Sequence, residues 1–262
     1  MNEILNEYLN EKSSVLYLSK KYNLSYDKLY RFLKLNTKII SNRDRYSKAN
    51  TSLFSEISSE EEAYWIGFLF ADGNVYTKNG KSCISLSLID MEHIDKFKSF
   101  IGVDNNIYKT SNGSYTYQFS SLEICQNLKK YGIVDQKSKN GIIETNFDSK
   151  YLIHFWRGVI DGDGWVLIKR FKSRNKIRIQ PTIGICGTLD TCEKFINFLN
   201  TKNIKFYSKI RDHKSIKKIQ FSDKVAISII ELLYKESNIH LNRKKDTSTK
   251  ILNNYGQRLD TL

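Results

Sequence analysis

The chain has 262 residues and a formal net charge of +14 at pH 7, from 42 Lys and Arg residues against 28 Asp and Glu residues. Its length permits one large core or two to three smaller units, and its charge makes nucleic acid the expected partner, ahead of an anionic membrane surface. Because no apolar run reaches the roughly 18 to 20 residues of a membrane span and the N-terminus is polar, we expect an intracellular, soluble protein with no membrane partner.

Residues 1–35 predict a small helical domain of helix-turn-helix type. Val15 and Leu18 mark one amphipathic stretch, Asn23 turns the chain, and Ser25 is placed to cap a second helix. The apolar positions fall where a helix-turn-helix needs its core. The outward face of the second helix carries the candidate DNA contacts Lys28, Tyr30, Arg31 and Lys34. A plain helical hairpin used for packing or for docking a partner is the alternative.

Residues 36–58 are rich in Ser, Asn, Lys and Arg, a composition that is typical of a basic, polar linker. Ser59 followed by Glu62 predicts a capping box at the start of the next helix. In such a box the Ser hydroxyl and the Glu side chain each accept a backbone N–H that the helix leaves unpaired.

Two nine-residue stretches, Trp65–Gly73 and Trp156–Gly164, share one design. Each is an apolar helix with small residues four apart, and each ends on Asp-Gly. The small residues are Gly67 with Ala71 in the first stretch and Gly158 with Gly162 in the second. Because residues four apart share a helix face and small residues let another backbone approach, we expect these two helices to pack together.

Packing of the two stretches would place Asp72 and Asp163 close together at adjoining helix ends. A carboxylate at a helix C-terminus faces the negative end of the dipole, and two close carboxylates repel each other unless a cation lies between them. Mg²⁺, or another divalent cation such as Mn²⁺, is the expected cofactor, because these ions prefer oxygen ligands. The four cysteines and four histidines are scattered along the chain, which predicts neither zinc nor disulfides.

The elements after the two stretches also repeat. Ile84–Leu88 and Ile183–Ile185 alternate as strands that lead into helices, and Gln118–Ser120 and Gln220–Ser222 each precede a further helix. We therefore expect an α+β fold of duplicated αββαββα units, residues 59–147 and 148–262. These two units would form a pseudo-two-fold saddle of antiparallel sheets, beside the small N-terminal helical domain.

The two stretches resemble the signature of LAGLIDADG homing endonucleases, in the two-motif, single-chain form, and the likeness covers roughly residues 59–250. The resemblance implies that the motif helices form the interface between the halves. It also implies that the penultimate acid of each motif binds the catalytic metals, which corresponds to Asp72 and Asp163.

Two further positions follow from the resemblance. The first acid of the motif is Phe70 in one copy and Asp161 in the other. This position is usually structural in the family, so Asp161 is not included among the catalytic residues. The family also has a basic residue near the end of each half that assists at the scissile phosphate. Lys137 and Lys244 occur where it would fall, and a solvated surface lysine is the alternative in both cases.

Strands that read a DNA groove should alternate basic or polar residues with apolar ones. The candidate contacts in the second half are Lys169, Lys176, Arg178, Gln180, Lys205, Tyr207, Lys209 and Arg211. Residues 148–262 contain 23 basic and 11 acidic residues, whereas residues 51–147 contain 9 and 12. Because neutralisation of phosphates dominates affinity for nucleic acid, the second half and the N-terminal segment should contribute most of the non-specific binding.

These features predict a monomeric, Mg²⁺-dependent endonuclease that makes double-strand breaks at a long, non-palindromic site in double-stranded DNA. Two alternatives remain. The first is a maturase that binds intron RNA on the same scaffold, because basic faces do not distinguish RNA from DNA. The second is a transcription regulator whose duplicated unit is catalytically idle, although the retention of both acids favours the nuclease.

Overall fold

A computed structural model describes residues 2–40, 48–78, 81–135, 142–173 and 176–259, with the side chains of 173, 176 and 255–259 excepted. The predicted site residue Lys137 and the side chain of Lys176 therefore lie outside the described part. No helix in the described ranges is long and apolar enough to cross a membrane.

The N-terminal residues form three helices rather than the predicted two. These are α1 (Asn2–Leu9), α2 (Val15–Lys21) and α3 (Tyr26–Asn36). They enclose a core of their own, made of Ile4, Tyr8, Val15, Leu18, Leu29 and Leu33. Asn23 has a φ of 48°, so it turns the chain between α2 and α3 as expected. Within the described residues Ser25 precedes α3 without a capping hydrogen bond from its side chain.

In its described residues, the first repeat contains a four-stranded antiparallel sheet and three helices. Its elements are α4 (Glu60–Asp72), β1 (Gly73–Lys78), β2 (Lys81–Leu88), α5 (Met91–Ile101), β3 (Tyr108–Lys109), β4 (Tyr115–Phe119) and α6 (Leu122–Lys129). The strand order is β1-β2-β4-β3. The expected αββαββα order is therefore present in this half.

The second repeat has the same order of elements and the same sheet topology, β5-β6-β8-β7. A short 3₁₀ turn, Ser149–Tyr151, precedes it. Its elements are α7 (Leu152–Asp163), β5 (Gly164–Ser173), β6 (Lys176–Gly187), α8 (Leu189–Thr201), β7 (Arg211–His213), β8 (Ile216–Ser222) and α9 (Asp223–Tyr234). One more helix, α10 (Asn242–Leu259), follows it and was not predicted from the sequence.

The duplication extends to individual aromatic contacts. The Trp65 ring lies 4.9 Å from that of Phe97 on α5, and Trp156 lies 5.0 Å from Phe195 on α8, measured between ring centroids. All four side chains are buried. Such rings contribute large buried areas and prefer these offset distances. The same residue types at equivalent positions therefore anchor each motif helix to the helix that follows the first two strands of its repeat.

The segment expected to be a linker is packed where the structure describes it. Phe54 is fully buried in the main core and Ile57 is nearly so. The Ser59 hydroxyl accepts the Glu62 N–H, as the capping box requires. The other half of that prediction is wrong, because the Glu62 carboxylate accepts the N–H groups of Phe54 and Ser58 instead. Glu62 therefore fastens the preceding segment to the start of α4.

Candidate active site

The two motif helices α4 and α7 cross at glycines. A Cβ atom added to Gly67 would lie 2.0 Å from the Phe155 carbonyl oxygen, and one added to Gly158 would lie 2.1 Å from that of Tyr64. No side chain fits at such distances, so the backbones touch directly. The small residues therefore let the two helices pack together, as their spacing predicts. The two contacts are near-symmetric across the seam between the repeats.

The seam brings the ends of both helices together. Asp72 is the last residue of α4 and Asp163 the last residue of α7, and each is followed at once by a strand. A Cβ on Gly162 would lie 2.3 Å from the Ala71 Cβ and 3.4 Å from Oδ2 of Asp72. The Asp72 carboxylate therefore lies beside the residue that precedes Asp163, and both acids are exposed to solvent.

Lys244 lies at the C-terminal end of α7. Its side chain is 4% exposed, and its ammonium donates to the carbonyl oxygens of Ile160, Asp161 and Gly164 at 2.5, 2.8 and 2.7 Å. Burial lowers the pKa of Lys244 to about 8, against the attraction of nearby carboxylates that include Asp72 and Asp163. A cation at this position offsets the negative end of the helix dipole, so the acid at the end of α7 is tolerated.

Asp161 is buried and has three hydrogen-bond donors. Its carboxylate accepts from the Tyr64 hydroxyl at 2.8 Å, the Tyr234 hydroxyl at 2.7 Å and the Leu241 N–H at 2.7 Å. Burial, followed by the Asp161 charge, raises the pKa of both tyrosines well above the usual value. These contacts join α4 to α9 and to the start of α10. Asp161 thus has the structural position that the family resemblance implies.

Arg157 is a buried residue of α7 that the sequence analysis missed. It donates to the carbonyls of Ile239 at 2.8 Å and Leu233 at 3.0 Å, and it contacts Glu60 at 2.6 Å. Burial raises the pKa of Glu60, but the charges of Arg157 and His154 and the hydrogen bonds from Asn238 together outweigh it, so the pKa is lowered. An arginine inside an otherwise apolar motif was the available signal. Arg157 thus fixes the end of α9 and the chain that leads into α10. Lys244 lies in the first turn of α10.

The sheet of the second repeat has one face on the core and one face exposed. Val166 and Ile183 point into the core, so the residues that alternate with them point outward. Lys169 lies directly opposite Gln180, and Phe171 lies opposite Arg178. The Lys169 ammonium donates to Gln220 of β8 at 3.0 Å. Three predicted DNA contacts, Lys169, Arg178 and Gln180, therefore share the exposed face.

Residues 205–211 differ from the prediction of a strand. Only Arg211 belongs to a strand, the short β7, and the residues before it form an extended segment without ladder pairing among the described residues. The expected alternation survives, since Lys205, Tyr207 and Lys209 are exposed. The intervening Phe206 and Ile210 pack against the core. Burial of alternate apolar side chains is enough to orient this segment.

The exposed face of the first sheet is polar but mostly uncharged. Ser85 lies opposite both Asn74 and Gln118, and Ser87 lies opposite Thr116. The hydroxyls of Ser87 and Thr116 are 2.7 Å apart. The two sheet faces thus differ in chemistry, the first carrying amides and hydroxyls and the second carrying basic groups.

The candidate contacts on α3 are mostly exposed. Lys28, Arg31 and Lys34 lie open to solvent, whereas Tyr30 is half-buried. The Tyr30 ring stacks on that of Tyr26, with ring centroids 6.1 Å apart. A basic stripe therefore covers the outer face of this helix.

Carboxylate oxygens, such as those of Asp72 and Asp163, are donors that a hard divalent cation prefers. Within the described residues, no group of three or more His, Cys, Asp and Glu side chains could hold a metal ion. A metal at this place would therefore take one or two carboxylate oxygens and complete its shell with water and phosphate oxygens, which is the pattern that Mg²⁺ prefers.

Comparisons with known proteins identify the fold. No protein-family model and no curated protein sequence matches the chain. The solved structures of similar fold include I-LtrWI, a LAGLIDADG homing endonuclease bound to target DNA, with 14% identity, 79% of this chain and 92% of that chain covered, and a TM-score of 0.54. They also include the meganuclease I-SmaMI bound to uncleavable DNA (14%, 75% and 90%, TM-score 0.56). The LAGLIDADG meganuclease I-AabMI bound to uncleaved DNA is another (13%, 77% and 92%, TM-score 0.53). The duplicated saddle expected from the sequence is confirmed.

Proposed function

We propose that this chain, which has the fold of the LAGLIDADG homing endonucleases, is a site-specific, metal-dependent DNA endonuclease that makes double-strand breaks. One observation carries the proposal. Two exposed carboxylates, Asp72 and Asp163, end two helices that touch backbone to backbone, between two antiparallel sheets that each present a polar face. The solved structures of the same fold that are bound to DNA support double-stranded DNA as the partner.

Asp72 and Asp163 would hold Mg²⁺ or Mn²⁺. A metal bound there would activate water at neutral pH and stabilise the departing oxygen of the phosphodiester. The protein contributes the position of the two acids. In the second half, Lys244 and the α7 carbonyls that it binds hold the backbone on both sides of Asp163. Lys137 remains the proposed counterpart of Lys244 in the first half.

The recognition site is proposed to be long and non-palindromic. Proteins that read DNA through strands place those strands in a groove, and the two sheets of this chain would bind two adjoining half-sites. Because the exposed faces carry different side chains, the two half-sites should differ in sequence. The N-terminal helices would add phosphate contacts through α3. Each copy of the chain contains both halves, which supports a monomer.

A cleavage selection tests this function. The full chain is incubated with a randomised duplex library and Mg²⁺, and the cut ends are sequenced. We expect defined double-strand breaks at one asymmetric sequence. The variants Asp72→Asn and Asp163→Asn should lose double-strand cleavage while they keep their affinity for the selected duplex. Asp95→Asn, which removes the same charge from the exposed side of α5, is the matched control and should cleave normally.

Two outcomes would overturn the assignment. Full cleavage by either acid variant would exclude these carboxylates as metal ligands. Selective binding of RNA without cleavage of any duplex would favour the maturase instead.

A further inference from the structure

Two large apolar side chains lie on the exposed face of the second sheet. Leu167 is 47% exposed and Phe171 is 43% exposed. Residues two apart in a strand point to the same face, so Leu167, Lys169 and Phe171 all point away from the core. The opposite face of the same strand carries Val166, which is buried. The register of the sheet therefore accounts for the exposure of Leu167, whereas Phe171 lies nearer the tip of the hairpin, where side chains on both faces are exposed.

Polar and basic groups surround these two side chains. Leu167 lies opposite Thr182, Lys169 opposite Gln180, and Phe171 opposite Arg178. The Gln180 amide donates to the Asp223 carboxylate at 2.7 Å. The face thus presents apolar, basic and apolar side chains in turn along β5, beside Gln180 and Arg178 of β6, whereas Thr182 is fully buried. A single exposed apolar residue needs no explanation. Two of them in a regular row on the face that is proposed to read DNA could instead contact an apolar group of the DNA.

The major groove offers one apolar group at base edges, the C5-methyl of thymine. We propose that Leu167 and Phe171 each contact a thymine methyl group, so that the half-site bound by the second repeat requires thymine at two positions. This inference rests on the proposed function. Leu167 and Phe171 are four residues apart, which is about 13 Å along a strand. At about 3.4 Å per nucleotide, the two thymines are expected about four base pairs apart.

The first repeat provides the contrast. Tyr76, four residues after Asp72, lies opposite Cys83 as Leu167 lies opposite Thr182. A tyrosine presents a hydroxyl as well as a ring at this place. The thymine contact assigned to Leu167 therefore has no purely apolar counterpart at Tyr76 in the first repeat.

Substitution of deoxyuridine for thymine tests the inference, since it removes only the 5-methyl group. Each thymine of the selected duplex is replaced in turn, and both the affinity and the cleavage rate of the full chain are measured. We expect about a four-fold loss at two positions of one half-site, as one methyl contact of about 0.8 kcal/mol would give. Leu167→Ala should abolish the uridine effect at one position and Phe171→Ala at the other.

Ile177→Ala is the matched control. Ile177 is 77% exposed at the tip of the same hairpin, and it lies opposite Lys172 on the other face. This variant should keep both uridine effects. A duplex that is bound and cut equally with thymine or uridine would overturn the inference and leave the endonuclease intact. The absence of any sequence-selective binding or cleavage would instead overturn the proposed function.

Discussion

The ammonium of Lys244 lies 2.7 Å from the carbonyl oxygen of Gly164, the residue that directly follows Asp163. The same ammonium also binds the carbonyls of Ile160 and Asp161, so one buried cation lies at the end of α7. The lysine is thereby tied to the backbone on both sides of a proposed metal ligand. Its side chain combines a structural role with proximity to the proposed site.

Lys244→Met should destabilise the fold. The substitution removes the cationic donor of three carbonyl oxygens, of which that of Ile160 keeps the Gly164 N–H. A buried acceptor that is left unpaired costs about 1–3 kcal/mol. We expect a loss of at least 2 kcal/mol in the free energy of unfolding, measured by urea denaturation, and slower cleavage. Lys250→Met, on the exposed side of the same helix, is the control and should change neither quantity. An unaltered unfolding midpoint in Lys244→Met would contradict the capping role.

His93 should make the fold sensitive to acid. Burial, and then the charge of Lys96, lowers the pKa of His93 to about 3 from 6.5. Because the unfolded chain binds the proton first, this group's contribution to stability is complete above pH 6.5 and is lost as the pH falls toward 3. The loss is about 1.4 kcal/mol per pH unit below 6.5.

His93→Gln tests this prediction, since the Gln amide keeps a donor for the Tyr64 hydroxyl, which lies 3.0 Å from Nε2 of His93. The free energy of unfolding of this variant should fall less steeply between pH 6.5 and 4.5 than that of the parent chain. Equal slopes in the two proteins would show that other groups cause the acid sensitivity.

Asp161→Asn should be more damaging than Tyr234→Phe. The amide retains one acceptor oxygen for three donors, whereas Tyr234→Phe removes a single donor at 2.7 Å. We expect losses of about 2–5 kcal/mol and about 1 kcal/mol respectively. Thermal unfolding of both variants under one set of conditions measures the order. The reverse order would mean that the Asp161 carboxylate does not hold the three segments together.

Gly67→Ala should separate the motif helices. The added carbon would meet a backbone carbonyl at 2.0 Å, which side-chain rotation cannot relieve. Gly187→Ala is a graded comparison, because its carbon would meet the Thr191 side chain at 3.0 Å. We expect Gly67→Ala to unfold at clearly lower temperature and to lose cleavage, and Gly187→Ala to lose far less. Similar melting temperatures for the two variants would argue against direct backbone contact at the seam.

The basic stripe on α3 should affect the salt dependence of DNA binding. Substitution of Lys28, Arg31 and Lys34 by Gln removes three exposed charges from α3. The three N-terminal helices have a small core of their own, which these substitutions do not touch. If all three contact phosphates, the slope of log affinity against log salt should decrease by about 2.7. Binding titrations at several salt concentrations measure it, and cleavage at low salt should persist. An unchanged slope would identify the helices as a packing or docking unit.

Local patterns in the sequence were sufficient to predict the duplicated unit. The patterns used were hydrophobic periodicity, helix-start residues and the two Asp-Gly endings, each of which involves only neighbouring residues. Because each pattern occurs in both repeats, the second copy supports the interpretation of the first. The failures were also local in origin. The segment before Ser59 looks like a linker because its few large apolar residues are scattered among many polar ones, yet Phe54 and Ile57 are buried in the main core.

Three features are visible in the sequence: the two acids, the small residues that let their helices meet, and the alternation that leaves a polar face on each sheet. The surroundings of the second acid depend on the tertiary structure. Lys244 is 81 residues beyond Asp163 in the chain, and Tyr64 reaches Asp161 across 97 residues. Spacings of this size carry no periodic signal. The buried cation at the end of α7, the three donors on Asp161 and the anchoring of Arg157 depend on the distant segments that the shared core of the two repeats brings together.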